Sequence, residues 1–206
     1  MDLIDISRPL SSATAVWPGD QPVEWSWTAQ IQEGSTVNLG AIHFSTHAGS
    51  HADAPRHARE NGDTTDHFDL SAFIGPVEVV NVEEEVILPR HVEEVTTSRV
   101  LFRTSASELS VDEWPDSITS LHPDTVSVLA ESDTVLIGTD APSVDPLDSS
   151  SLPAHHALID AEIINLEGLS LGHVAPGRYR LMALPLKIQS ADAAPVRAVL
   201  VHDESG

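Results

Sequence analysis

The sequence predicts an α/β fold in which a mixed β-sheet carries the architecture and a few helices flank it. Three observations point there. Short runs rich in Val, Ile and Leu, or alternating apolar with polar, recur along the whole chain and have the strand pattern. Helical patterns are confined to three brief stretches, each opening at a proline. The 206 residues fit one domain, 1–206, long enough to bury a substantial core, and no internal repeat, low-complexity segment or linker divides them.

Taken in order, Leu3–Ser7 is a short strand ending at Pro9, and the turn-rich loop Val16–Asp20 follows with Trp17. Residues 22–31 alternate Val23, Trp25 and Trp27 with polar positions, which marks a half-buried strand. After Glu33-Gly34-Ser35 a second strand, Thr36–Thr46, delivers the chain to His47, with His43 in a structural role. Residues 58–66 are polar and form a surface loop able to close over what precedes them. Gly75-Pro76 opens a strand, Val77–Val82, that leaves through the solvated acids Glu83-Glu84-Glu85. Pro89–Val95 fits a short helix, Arg99–Thr104 a strand, and 105–120 an irregular excursion around Trp114. A helix over Pro123–Ser132, capped by His122 or Asp124, precedes the buried strand Thr134–Gly138. The loop Thr139–Pro146 carries Asp140, and a helix opening near Pro153 leads to strand Ile163–Glu167, whose apolar run ends in a carboxylate. Arg178–Leu186, interrupted by Pro185, and Pro195–Val201 complete the strands.

A formal net charge of -22, from ten Lys and Arg against 32 Asp and Glu, repels phosphate backbones and anionic membranes, so neither nucleic acid nor membrane is an expected partner. The acids are spread along the chain rather than gathered in a tail, a composition that suits a high-salt cytoplasm and equally a lineage habit. Cysteine is absent, which excludes a disulfide scaffold and thiolate ligands. Any metal must then be held by imidazole and carboxylate, a donor set suited to zinc, manganese or iron. There is no basic-then-apolar leader and no apolar run near the ~20 residues of a bilayer span, so a cytoplasmic protein is expected.

The stretch His47-Ala-Gly-Ser-His51-Ala-Asp53-Ala-Pro55-Arg-His57 places three imidazoles and a carboxylate at odd positions within eleven residues. Side chains alternate faces along extended backbone, so all four share one face. A straight strand would still separate His47 from His51 by roughly 13 Å, too far for one ion, and the chain must bend between them. Gly49, free to take positive φ, is the expected place. A helix would also bring His47 and His51 together, but Gly49 and Pro55 oppose it. The stretch is a candidate metal site.

Two further constellations follow. His155 and Glu167, about a hundred residues downstream, supply another imidazole and another carboxylate. On spacing alone one ion and two remain open, as does a plain structural role in which Glu167 pairs with an arginine. Asp140 could support such a site from outside, and His67 is a weaker ligand candidate. Gly168-Leu-Ser170-Leu-Gly172 matches the G-x-S-x-G nucleophile elbow after a strand, with Asp192 and His202 downstream in the right order. The helix that must follow the serine is broken by Pro176-Gly177, so no triad is expected.

The motif His47-x-Gly-Ser-His51-x-Asp53-x-Pro55-x-His57 resembles the H-x-G-T-H-x-D-x-P-x-H signature of the metal-dependent cyclase-like hydrolases, and of their bacterial kynurenine formamidase (arylformamidase) branch in particular. The resemblance extends through Trp17-Pro-Gly-Asp20, Ala154-His155-His156-Ala157, Leu166-Glu167-Gly168-Leu169, Ala183–Lys187 and Ala194–Leu200, with Ser50 in place of the usual Thr. It implies a barrel-like mixed sheet of the swivelling β/β/α type, flanked by helices, in a homodimer or higher oligomer. By the same resemblance two zinc ions, with manganese an alternative, would be bound: His47, His51 and Asp53 at one, and Asp53, His155 and Glu167 at the second, with Glu167 also reaching the first. His155 is matched rather than His156 by its distance from the Glu. His57 would be the acid/base catalyst and Trp17 a substrate contact. The implied activity is zinc-dependent hydrolysis of a small aryl formamide, N-formyl-L-kynurenine, to L-kynurenine and formate in tryptophan degradation, with metal-bound hydroxide as nucleophile. The alternatives are a related amidohydrolase that opens a cyclic amide such as isatin, and a metal-binding protein without catalysis.

Overall fold

The computed structural model describes residues 2–202. The strands are β1 (Leu3–Asp5), β2 (Glu24–Ala29), β3 (Leu39–His43), β4 (His51–Asp53), β5 (Ile74–Asn81), β6 (Val86–Ile87), β7 (Arg99–Arg103) and β8 (Ser120–Leu121), then β9 (Leu136–Thr139), β10 (Ile164–Glu167), β11 (Gly177–Met182), β12 (Ala193–Pro195) and β13 (Val199–His202). Helix α1 (Pro123–Glu131) precedes β9, and α2 (Pro153–Asp160) precedes β10. Nine strands form one sheet in the order β1-β13-β11-β5-β7-β9-β10-β4-β12. Its centre, β5-β7-β9-β10, is parallel and its two flanks are antiparallel.

Strands β12 and β13 are separated only by residues 196–198, yet they stand ninth and second in that order. In a flat sheet they would lie roughly 34 Å apart, whereas the chain from Pro195 to Val199 reaches at most ~14 Å. The sheet must therefore curl until its ends approach each other. Contacts across the gap show the closure: Ser7 bridges Leu169, and Pro185 bridges Val196. The result is a half-barrel, in line with the mixed, barrel-like core expected from the sequence.

Alternation along the strands divides the core in two. Leu101, Leu136, Val77, Leu166 and Leu181 point inside the curl with Ile6 and Phe73. Val100, Phe102 and Ile137 point outward under Leu129 of α1 and Leu158 of α2. All four residues of β9 are buried, as expected for parallel strands covered on both faces. Helix α1 starts where its sequence says, Pro123 taking the first turn and the His122 side chain accepting from the Asp124 amide.

Five expectations need correction. Pro89–Val95 is only a 3-10 turn over Pro89–His91, because the His91 ring accepts from the Leu88 amide and closes the turn locally. The run Pro195–Val201 is two strands, divided by the closure just described. Thr36–Thr46 narrows to β3, and β2–β3 form a hairpin that pairs with no other strand. Alternation along β2 suggested half-burial, but no layer covers either face: Trp25 and Trp27 are 55% and 49% exposed and pack edge to face on each other at 5.5 Å. His43 lies exposed on this hairpin beside Glu24 rather than in a structural role.

Pairing of β10 with β4 brings the end of β10 against the turn before β4. Gly168 has φ +64, and a Cβ there would sit 2.3 Å from the Gly49 carbonyl oxygen, rigid backbone that cannot yield. Gly168→Ala should therefore cost about 2 kcal/mol or more, read as a lowered urea midpoint at unchanged slope. A shift under about 0.5 kcal/mol would show that the two turns are free to separate.

Candidate metal centre

The chain bends where expected: Gly49 has φ +68, and beyond it His51–Asp53 enters the sheet as β4 between β10 and β12. Register then assembles the site. His51 stands opposite Glu167 and Asp53 opposite Asn165, so two-residue spacing on each strand puts four polar side chains on one face. Helix α2 adds buried His155 from its first turn, and the turn before β4 adds His47. The five side chains read as metal ligands by resemblance, His47, His51, Asp53, His155 and Glu167, are thus brought together from three separate stretches. Among the described residues, His47, His51 and Asp53 form a group whose donor atoms could hold an ion.

The spacing of the donor atoms fits a metal. His47 Nδ1 lies 3.2 Å from Asp53 Oδ1, and His51 Nε2 lies 3.4 Å from Asp53 Oδ1 and 3.5 Å from Glu167 Oε2. On the other side His155 Nε2 lies 3.5 Å from Asp53 Oδ2 and 3.3 Å from Glu167 Oε1. Four donors about 2.0–2.1 Å from a tetrahedral ion stand about 3.3–3.4 Å from one another. Three of these atoms, His51 Nε2, Asp53 Oδ1 and His155 Nε2, are sealed from solvent with no hydrogen-bond partner. Such orphans are expensive unless something completes them. Each carboxylate turns one oxygen toward each set.

The far side of every imidazole is held. His51 Nδ1 lies 3.1 Å from the Gly49 carbonyl, His155 Nδ1 2.6 Å from Asp145 Oδ2, and His47 Nε2 3.1 Å from Asp192 Oδ2. These contacts fix which nitrogen carries the proton and leave the inward one free to coordinate. Asp145 also accepts from the Ala154 and His155 amides, tying α2 to the site by its first turn. Asn165 Nδ2 donates to Asp53 Oδ2 at 3.1 Å and Glu167 Oε1 at 2.8 Å, clamping the two carboxylates side by side. Asp192 and Asp145 are isolated in sequence, so no motif or periodicity marks them, whereas the two-residue spacing of Asn165 from Glu167 already places it on the same strand face.

Charge explains the shifts that follow. Burial alone would push the imidazoles down, but the surrounding carboxylates outweigh it: Asp192 and Asp53 hold His47 at about 9, and Asp53 and Glu167 hold His51 at about 10. Burial and the nearby Asp53 charge push Glu167 up, but His155 and His51 bring it down to about 2. Asp192, bonded to His47 and with His57 nearby, is held well below the usual carboxylate range.

His57 follows β4 on a 3-10 turn, Pro55–His57. Its ring stands 4.3 Å from that of His47 and 5.4 Å from that of His155, with Nδ1 3.9 Å from Asp192 Oδ2. It borders two cavities. One, of about 330 Å³, is lined by Trp17, Trp114, Leu109 and Val111 and opens onto His47, His51, His155 and Glu167. Trp17 and Trp114 meet edge to face at 5.4 Å. The other, of about 840 Å³, lies behind Asp53 and is bounded by the loop 58–64, which therefore walls the rear of the site rather than covering its front.

The remaining candidates stay apart. His67 contacts Thr64, and Asp140 accepts from Thr104 and Ser107, anchoring the turn beneath Leu109 rather than touching the cluster. No triad forms around Ser170: Asp192 is engaged by Thr46 and His47, and His202, at the end of β13, stacks near Tyr179. Ser50 fills its place in the motif by donating to the Gly168 carbonyl and accepting from the Arg8 amide.

Residues 4–146 match the family described as "Putative cyclase". The kynurenine formamidase of Salinibacter ruber is 55% identical over 206 residues, covering 97% of each chain. Among solved structures, a potential metal-dependent hydrolase with cyclase activity superimposes with a TM-score of 0.83 at 27% identity, over 97% of this chain and 96% of that one. Isatin hydrolase A of Labrenzia aggregata gives 0.82 at 22% identity, over 98% and 94%, a likeness of fold alone.

The shifts predict how a chelated sample responds to pH. The raised His47 stabilises the fold fully below about pH 6.5, and that contribution is lost as pH rises through about 9. The lowered carboxylates act oppositely, stabilising above their ordinary range near 4 and losing that as pH falls. In chelator, stability should peak near pH 5–6 and drop by on the order of 3 kcal/mol toward pH 9.5, while metal-loaded protein should keep its alkaline stability. Denaturant midpoints with and without chelator check this, and equal alkaline losses would contradict it.

Proposed function

This chain belongs to the cyclase family, in its kynurenine formamidase branch, and from that membership we propose that it hydrolyses N-formyl-L-kynurenine to L-kynurenine and formate in tryptophan degradation. The observation that carries the reading is a sealed set of imidazole and carboxylate donors at the foot of a cavity walled by two indoles. His47, His51, Asp53 and Glu167 would hold one zinc, and Asp53, His155 and Glu167 a second, since each carboxylate offers an oxygen to both sides. Zinc, or manganese in its place, supplies Lewis acidity there, making water a nucleophile near neutral pH and polarising the formyl carbonyl.

The chain's own residues do the rest. Trp17, buttressed by Trp114, takes the flat face of the aryl ring and keeps bulk water from it. His57, beside both sets of donors, gives its proton to the aryl nitrogen as the C–N bond breaks, so that a neutral arylamine leaves instead of its anion. Asp192, between His47 and His57, orients both rings.

A homodimer accompanies this reading. Of the twelve exposed large hydrophobic residues among those described, six (Trp25, Trp27, Ile31, Val37, Leu39 and Ile42) lie on the β2–β3 hairpin, a cluster unusual on a monomer. A second copy covering it would meet apolar surface rather than the acids that otherwise repel it.

Purified protein should turn over formyl-kynurenine, lose activity on chelation and regain it with zinc. Activity that survives removal of all metal would refute the mechanism. His57→Ala should lower kcat by about 10²- to 10⁴-fold with metal content unchanged, and metal loss would recast His57 as a ligand. Sedimentation should give a dimer for the native chain and a monomer for the Trp25→Ser, Leu39→Ser double variant. A native chain that sediments as a monomer would end the dimer reading.

A further inference from the structure

The aromatic cavity has one cation in its wall, Arg8, and nothing in the reaction just described uses it. Arg8 has no carboxylate within 4.0 Å among the described residues; Arg56, Arg99, Arg103 and Arg180 share that, and what sets Arg8 apart is its place in the cavity wall. Its Nη2 donates to two backbone carbonyls, those of Ala106 at 3.1 Å and Asp140 at 3.3 Å. The Asp140 carboxylate is spent on the Thr104 amide and on the Thr104 and Ser107 hydroxyls.

These bonds hold the guanidinium in place. The Arg8 amide is fixed to Ser50, inside the metal motif, at 2.9 Å, and Nη2 is pinned to the turn that carries Leu109. Nε and Nη1 have no partner among the described residues, and neither is among the side-chain atoms sealed from solvent. A bond from guanidinium to carboxylate is charge-assisted, and partial burial strengthens it. Nε and Nη1 lie on different edges of the guanidinium, so each offers a single bond. Asp20 and Glu113 stand in the same wall.

We propose that Arg8 is the residue that selects the substrate, by binding the α-carboxylate of an amino-acid side chain carried on the aryl formamide through a charge-assisted bond from a free donor, Nε or Nη1. This rests on the formamidase reading and narrows it. The substrate class is an anionic or zwitterionic aryl formamide, and neutral amides such as isatin gain nothing from this wall. The formate released by the reaction is also a carboxylate, so the test must separate the two.

Formyl-kynurenine and N-(2-acetylphenyl)formamide, which has the same aryl ketone but no amino acid, should be compared on native protein, Arg8→Met and Arg8→Lys. Arg8→Met should raise KM for formyl-kynurenine by about ten- to a hundredfold with kcat within a few-fold, and leave kcat/KM for the neutral amide within about twofold. Arg8→Lys should recover part of the loss. Equal losses on both substrates would overturn the proposal and leave Arg8 a structural tie. A change confined to formate inhibition would overturn it in favour of product binding. Calorimetry with kynurenine and 2-aminoacetophenone gives a readout independent of turnover. Kynurenine should bind native protein more tightly than Arg8→Met, 2-aminoacetophenone should not discriminate, and no difference for kynurenine would sink the assignment. If the native protein binds kynurenine in this way but turns over neither formamide, the formamidase reading fails and the assignment of Arg8 stands.

Discussion

The pairing of three residues of β4 with three of β10 is the constraint on which the rest of this molecule depends. It sets Asp53 and Glu167 close together in buried surroundings, where two negative charges are unfavourable unless cations come between them. Everything around the pair answers that demand. Three imidazoles converge on it, Asn165 clamps it, and Asp145 and Asp192 steady the imidazoles from behind. A proton on each imidazole can balance the charge, and so can a metal, which is why metal binding here is expected to release protons.

Much of the site was legible in the sequence because it is local. Parity along residues 47–57 identified the shared face, the distance along a straight strand demanded a bend, and Gly49 makes it with φ +68. His155 and Glu167 came through resemblance, since nothing in their own spacing says which pair of strands will meet. Asp192, Asp145, Trp114 and Arg8 escaped detection for a physical reason: each acts through a contact made only once the sheet has closed, and a single acid or indole in a loop looks like any other. The same applies to the fold. Individual strands and both helices could be placed from pattern and capping, but a pattern cannot distinguish one strand from two strands at opposite edges, as in 193–202. Nor could alternation along β2 show that its hairpin would stand clear of the core.

The two cavities divide the labour around the donors. The smaller joins hard aromatic walls to the metal-facing atoms and carries a single guanidinium, so it distinguishes ligands by shape and charge together. The larger lies beside Asp53 and His57 and is bounded by the polar loop 58–64 together with apolar Phe68, Leu158, Ile159 and Ile163. Arg8 links the front wall to the motif itself, because its amide shares the Ser50 hydroxyl with the turn at Gly168.

Closure of the half-barrel has a consequence for how the protein is made. The donors come from residues 47–53, 155 and 167, and the strand that covers β4 on its outer side, β12, begins only at Ala193. Asp192, which steadies His47, is the residue just before it. No partial chain emerging from a ribosome can possess the complete site until Asp192 and β12 have been synthesised. Contacts of such long sequence separation form late and slowly in folding. Until then the carboxylates and imidazoles remain in water, where they need no counter-ion. The metal should therefore be acquired by a fold in which β12 is already in place, rather than serve as the nucleus on which that fold is built.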